Sequence, residues 1–222
     1  MSTLNRTVRS EIADAPANPR RDQRRDAILA VAREVFSEEG YAAASMSTIA
    51  ARLGGSKATL YNYFESKEAL FEAHIRDQCG KFAEAALEFA EDRPVAEVLT
   101  RFAERFVDHV LSDRSVCTFQ TIVGEARRSP ELARLFYEVG PTVGRERLTR
   151  YLESAKRAGR IDPPDCALAA SEFMSLCRGR HHLALVLNVE SRPSQEVMVA
   201  DVASAVRMFL AAYGAPDTAE HG

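Results

Sequence analysis

Apolar residues recur along the chain with the 3.6-residue period of helices, and nowhere alternate with period two for long enough to suggest a sheet. From Arg20 onward, Ile28, Val31, Ala32, Val35 and Phe36 stand at i, i+3, i+4, i+7 and i+8, which places them on one helical face. Gly40 is expected to end that helix in a left-handed cap, with Tyr41 folding back onto Phe36. Ser45 is a good N-cap for a short second helix that turns Ile49, Ala50 and Leu53 inward, and Gly54 with Gly55 stops it. Ser56 caps a third helix through Phe64, and Ser66 opens a fourth at Lys67. Further helical patterns cover 94–111, 115–127, 130–139, 141–158, 164–188 and 194–213, broken at Pro94, Ser112, Pro130, Gly140 with Pro141, the stretch 159–164, and Pro193. The expected fold is all-α, a three-helix unit containing a helix-turn-helix over 45–64 followed by a larger helical body.

A helix, a tight glycine turn and a second helix is the arrangement that presents the second helix to a DNA major groove. At about 100° per residue, Leu60 and Phe64 mark the buried side of the third helix. Tyr61 then lies on one flank and Thr59 with Tyr63 on the other, while Ala58 and Asn62 point away from the core. Hydroxyls suit phosphate oxygens, Lys57 and Lys67 suit phosphate charge, and a small Ala58 permits close approach to thymine methyls. Ser47, at the start of the second helix, is placed to bond the DNA backbone together with the helix amides.

Charge sharpens this picture. The chain carries a net charge of -3, yet residues 1–25 hold Arg6, Arg9, Arg20, Arg21, Arg24 and Arg25 against Glu11, Asp14 and Asp22, so the remainder is acidic. Residues 1–19, with Pro16, Pro19 and no apolar period, read as a disordered basic arm, and 215–222 as a flexible tail. Arg20, Arg21, Arg24 and Arg25 are placed to follow a phosphate backbone or enter a minor groove. The start lacks the apolar core of a signal peptide and no apolar run approaches membrane-spanning length, so a cytoplasmic protein without membrane contact is expected.

The stretch FSEEGYAAASMSTIAARLGGSKATLYNYFESKEALFEA, Phe36 to Ala73, resembles the DNA-binding domain of the TetR family of bacterial regulators, and the likeness spans about 22–82. The resemblance implies that Ser45, Ser47, Lys57, Thr59, Tyr61, Tyr63 and Lys67 contact DNA. It also implies a transcriptional regulator, most simply a repressor, that binds a palindromic operator as a homodimer and is released by a small-molecule effector. One position departs from the family pattern: Gly55 stands where valine or isoleucine is usual. A segment from Gly124, GEARRSPELARLFYEVGPTVGRERLTRYLESAKRAGRI, resembles the C-terminal domain of AefR-like members, which makes 83–214 the regulatory and dimerisation domain.

Within that body, Ala169, Phe173, Leu176, Arg180, Leu183 and Leu187 follow alternating spacings of four and three, as do Val199, Val202, Val206, Phe209 and Tyr213. Spacing alone fits either an internal core or a dimer interface. TetR proteins pair through their last two helices, so the resemblance favours an interface of these residues. Phe102, Phe106, His109, Phe119, Gln120, Ile122, Glu125, Tyr137, Phe173 and Leu176 are candidates to line an effector pocket for an apolar or amphipathic molecule.

Catalytic and metal chemistry find little support. His181 and His182 point about 100° apart on a helix and cannot share a metal as an i, i+4 pair would. Cys79, Cys117, Cys166 and Cys177 form no CxxC pair. No metal, no cofactor and no enzymatic activity are expected. The competing class is an all-α ligand carrier or enzyme that uses the body pocket.

Overall fold

The computed structural model describes residues 19–86 and 92–215, the side chains of 81–86 excepted. The expected basic arm, apart from Pro19, and the expected tail, apart from Ala215, lie outside the described residues. The described chain is helical, and its sole β feature is an isolated Ile161–Gly214 bridge that ties the end of the last helix to an earlier loop.

Four helices build the N-terminal unit: α1 (Pro19–Ala43), α2 (Met46–Arg52), α3 (Lys57–Tyr61) and α4 (Lys67–Ala86). Ile28, Ala32, Val35 and Phe36 of α1 are buried as the periodicity requires, Val31 is half-buried, and Leu29 joins them. Gly40 kinks α1 rather than ending it. Its φ of 76° and ψ of 162° belong to a region that side chains with a Cβ avoid. The kink swings Tyr41 onto Phe36, with ring centroids 5.8 Å apart. Phe71 of α4 then packs against both rings, at 4.9 Å from Phe36 and 4.7 Å from Tyr41.

The body comprises α5 (Val95–Val110), α6 (Asp113–Glu125), α7 (Pro130–Tyr137), α8 (Val143–Arg157), α9 (Cys166–Arg178), α10 (His181–Val186) and α11 (Gln195–Tyr213). Its core gathers Phe102 and Phe106 of α5, Leu148 and Leu152 of α8, Phe173 of α9 and Phe209 of α11. Ile122 of α6 and Leu132 of α7 belong instead to the core of the N-terminal unit. The two parts therefore share apolar packing.

Two breaks differ from the expected ones. Gly140 and Pro141 do not separate helices; they lie in a wider π-type turn, Glu138–Thr142, that joins α7 to α8. Proline has no N–H to donate and its ring crowds the preceding turn, and widening the turn accommodates both. Conversely, the expected helix over 164–188 is split, because Gly179 takes φ 55° and ψ -157°. The seam running from Ala169 to Leu187 is thus divided between two helices.

Candidate functional site

Serine caps set the geometry of the helix-turn-helix. Ser45 Oγ accepts the Thr48 N–H at 3.1 Å and lies 2.9 Å from Thr48 Oγ1. Ser56 repeats the arrangement with Thr59, at 3.1 and 2.9 Å. Between them, the Gly54 N–H donates to Ala51 O and the Gly55 N–H to Ala50 O, both at 3.1 Å. With Gly54 at φ 67°, this is the paired hydrogen-bond closure that glycine permits at a helix end. Gly55 itself has no positive φ, and a Cβ there would stand 3.3 Å from Arg24 Nη2. The Arg24 guanidinium therefore lies where a larger residue at 55 would extend.

α3 is shorter than expected. It ends at Tyr61, because both the Tyr63 and Phe64 N–H groups turn onto Leu60 O at 3.1 Å. Leu60 and Phe64 are buried, as the helical wheel requires. Lys57, Ala58 and Asn62 are exposed, and Tyr61 is 44% exposed, with Lys57 Nζ 5.9 Å from its ring centroid. Arg25 lies over the Phe64 ring at 5.5 Å, so the basic first turns of α1 flank the same surface.

The remaining expected contact residues are placed differently. Ser47 is exposed. Ser45 and Thr59 hydroxyls take part in the two caps. Tyr63 is half-buried and packs on the N-terminal core, which removes it from the fully outward flank. Lys67 is engaged most of all: its Nζ donates to Tyr41 O at 2.8 Å, Ala44 O at 3.1 Å and Ala42 O at 3.4 Å, and sits 4.4 Å from the Tyr41 ring. It caps the end of α1.

Residues 28–74 match the family model of bacterial regulatory proteins of the tetR family, and residues 97–215 match the AefR-like transcriptional repressor C-terminal domain. The chain belongs to the TetR family. A curated relative, the HTH-type transcriptional regulator UidR of Escherichia coli, is 32% identical over 145 residues, covering 63% of this chain and 69% of UidR. Among solved structures, the flavonoid-responsive regulator FrrA superposes with a TM-score of 0.74 at 34% identity, covering 87% of this chain and 98% of FrrA. A TetR-family regulator from Mesorhizobium loti reaches 0.81 at 24% identity over 88% and 98% of the two chains, and shows the shared fold. This TetR-family chain is a transcriptional regulator with an N-terminal DNA-binding unit, and not an enzyme.

In this TetR-family body, a cavity of ≈ 500 Å³ opens between α4, α5, α6, the α7–α8 turn and α9. Of the expected lining residues, Phe106, His109, Phe119, Ile122 and Tyr137 are there. Phe102 and Phe173 are buried in the core beside it, Leu176 is on the outer surface, and Glu125 pairs with Arg128. Gln120 is also elsewhere; its amide donates to Val186 O at 2.7 Å and fastens α10 to α6. Sequence reasoning missed Gln78, Cys79, Phe136, Met174, Arg178 and His182. Spacing carried part of the signal, since Ser171, Met174, Ser175 and Arg178 share one face of α9. Gly140 closes the wall against α4, where a Cβ would come within 3.1 Å of Cys79 Sγ. Burial pushes the Cys79 thiol up to about 11, so it stays protonated.

The expected interface residues also divide. Phe173, Val202, Val206 and Phe209 are buried within the protomer, because their face of α9 and α11 packs on α5. Tyr213 bonds Glu172 of α9 through its hydroxyl. Leu176, Arg180, Leu183, Leu187 and Val199 are exposed, joined by Leu168, Val189 and Met208. His181 bridges Asp201 at 3.0 Å and approaches Glu190 at 3.7 Å, which gives it a structural tie rather than a metal. No group of residues suited to hold a metal occurs among the described residues, and no described helix is long and apolar enough to cross a membrane. All four cysteines are free.

Burial holds the His109 and His182 imidazoles below their ordinary value, and the charge of Arg178 lowers His182 further. The unfolded chain therefore binds protons that the folded chain refuses. The stabilisation is complete above about pH 6.5, the unfolded value, and is lost as pH falls toward the depressed folded values. The melting temperature should drop between about pH 7.5 and about pH 5.5, and a His109→Gln, His182→Gln double variant should show a flatter profile over that window. An equally steep profile in the double variant would place the sensitivity elsewhere.

Proposed function

We propose that the protein is a cytoplasmic repressor that binds a palindromic operator as a homodimer and is released when a small molecule enters the body cavity. The observation that carries the reading is the outward face of α3, where Lys57, Ala58, Tyr61 and Asn62 are exposed while Leu60 and Phe64 pin the helix from behind. Ser47 and the basic turns of α1 extend that face along a phosphate backbone. The test is binding of the purified protein to labelled duplex from the promoter of its own gene and its neighbours, with a reporter on that promoter to distinguish repression from activation. Failure to prefer any such fragment over unrelated duplex would oppose it.

Dimerisation is supported by the outward stripe of α11. Ala200, Ala203, Ser204, Arg207, Met208 and Ala211 follow i, i+3, i+4, i+7, i+8 and i+11, opposite the buried Val202, Val206 and Phe209. Small residues on such a stripe let a partner helix approach closely. Exposed Leu176 of α9, Leu183 of α10 and Leu187 just beyond it offer further apolar surface. Two copies of α3 would then address half-sites one helical turn apart. Ser204→Arg is expected to convert a dimer to monomer in sedimentation velocity while leaving the far-UV spectrum unchanged; a persistent dimer would move the interface elsewhere.

Release is supported by α4. Its first turns pack in the N-terminal core through Leu70, Phe71 and Ile75, and its later residues Gln78 and Cys79 line the cavity. A ligand that displaces these residues would tilt α4 and change the spacing of the two α3 helices, a coupling typically worth about 1 to 3 kcal/mol.

A further inference from the structure

The cavity is mostly apolar, yet one of its polar groups is placed at a cost to the fold. Arg178 closes the cavity-facing side of α9, and its Nε is buried without a hydrogen-bond partner. Arginine cannot escape burial by losing its proton, so the cost of desolvating the charge persists. Among the described residues the cavity wall contains no aspartate or glutamate; its charged members are Arg145 and Arg178, with His109 and His182 beside them. Arg145 has a neighbour in the Tyr137 hydroxyl, 3.4 Å from its Nη1. The nearby Ser171 and Ser175 hydroxyls donate to carbonyls of their own helix at 2.9 and 2.8 Å, and neither accepts from the Arg178 Nε. The far wall is apolar, formed by Phe106, Phe119, Ile122 and Phe136.

We infer that the effector is an anionic amphipath, whose carboxylate or equally acidic head pairs with Arg178 while its apolar body lies along the phenylalanine wall. This inference rests on the proposed effector role of the cavity and specifies the chemistry of the molecule it takes. A guanidinium fork matches a carboxylate in geometry as well as charge. A neutral ligand could accept a hydrogen bond from Arg178 but would leave its charge without a counter-ion. The cavity size, ≈ 500 Å³, suits a molecule of drug or fatty-acid dimensions.

The test uses the full chain and two matched pairs of probes: dodecanoate with dodecanamide, and biphenyl-4-carboxylate with its amide, each titrated calorimetrically. At least one acid is expected to bind one per protomer, about tenfold or more tighter than its amide, and which acid does so distinguishes an acyl from an aryl body. Arg178→Met should abolish that preference by weakening the acid while sparing the amide, and Arg178→Lys should restore it in part. The unliganded Arg178→Met protein should melt no lower than wild type, since a buried N–H without a partner has been removed. Undiminished acid binding in Arg178→Met, or amides binding wild type as tightly as acids, would overturn the anionic head and leave the effector cavity standing. A lower melting temperature with loss of both acid and amide would make Arg178 a structural residue and overturn the inference. Absence of binding by all four probes would sink the effector reading itself, and this inference with it.

Discussion

Replacing Phe71 by alanine is expected to lower the melting temperature by about 6 to 20 °C and to abolish operator binding with it. Phe71 is fully buried and meets the Phe36 ring edge-on and the Tyr41 ring at a tilt. Truncating a buried phenylalanine costs about 3 to 5 kcal/mol through lost transfer energy and the cavity left behind, and the aromatic contacts add to it. For a chain of this size each kcal/mol shifts the midpoint by about 2 to 4 °C. The effect reaches DNA because the same ring cluster joins α1 to α4 and so fixes the platform on which α2 and α3 sit. A thermal melt followed by circular dichroism checks it. A shift under about 2 °C would mean that the cluster collapses around the gap and that the platform does not depend on it.

The second large effect separates two lysines that look alike in sequence. Lys67→Ala should destabilise the protein by about 1.5 to 3 kcal/mol, because a charged donor is removed from the carbonyls of Tyr41, Ala42 and Ala44. Its DNA binding should keep the wild-type dependence on salt at a temperature where it remains folded. Lys57→Ala should do the reverse, with an unchanged melt and a salt slope shallower by about one. If Lys67→Ala instead flattened the salt slope and left the melt unchanged, its ammonium would leave the α1 carbonyls for a phosphate on binding.

The difference between these lysines shows where sequence reasoning stops. The serine caps, the buried Leu60 and Phe64 and the packing of Tyr41 onto Phe36 were legible because each depends on residues within a few positions of one another. So was the extent of α5, expected over 94–111 and observed as Val95–Val110. Lys67 depends on carbonyls 23 to 26 residues away, and a local pattern cannot register them. Gly179 stayed hidden because the four-and-three spacing continues past it through Leu183 and Leu187, although the chain there leaves the helix.

The effector cavity was the least legible part. Phe102 and Phe106 are one turn apart on the same helix, yet only the second reaches the cavity. That distinction depends on how α5 is rotated against α9 and α11, which periodicity does not specify. Arg178 was hidden for another reason. Among 29 basic residues, a single arginine at a helix end reads as an ordinary surface cation favoured by the helix dipole, and its place in the cavity wall, with Nε buried, becomes visible only when the helices are assembled.

The central claim is that the exposed face of α3 meets the duplex. Fluorescence anisotropy of a labelled operator duplex, titrated with wild type and with a Lys57→Ala, Tyr61→Ala variant between about 50 and 200 mM salt, tests it most directly. The double variant should melt like wild type, bind at least about tenfold more weakly, and show a salt slope shallower by about one. A folded variant with wild-type affinity and an unchanged slope would contradict the assignment of this face to DNA.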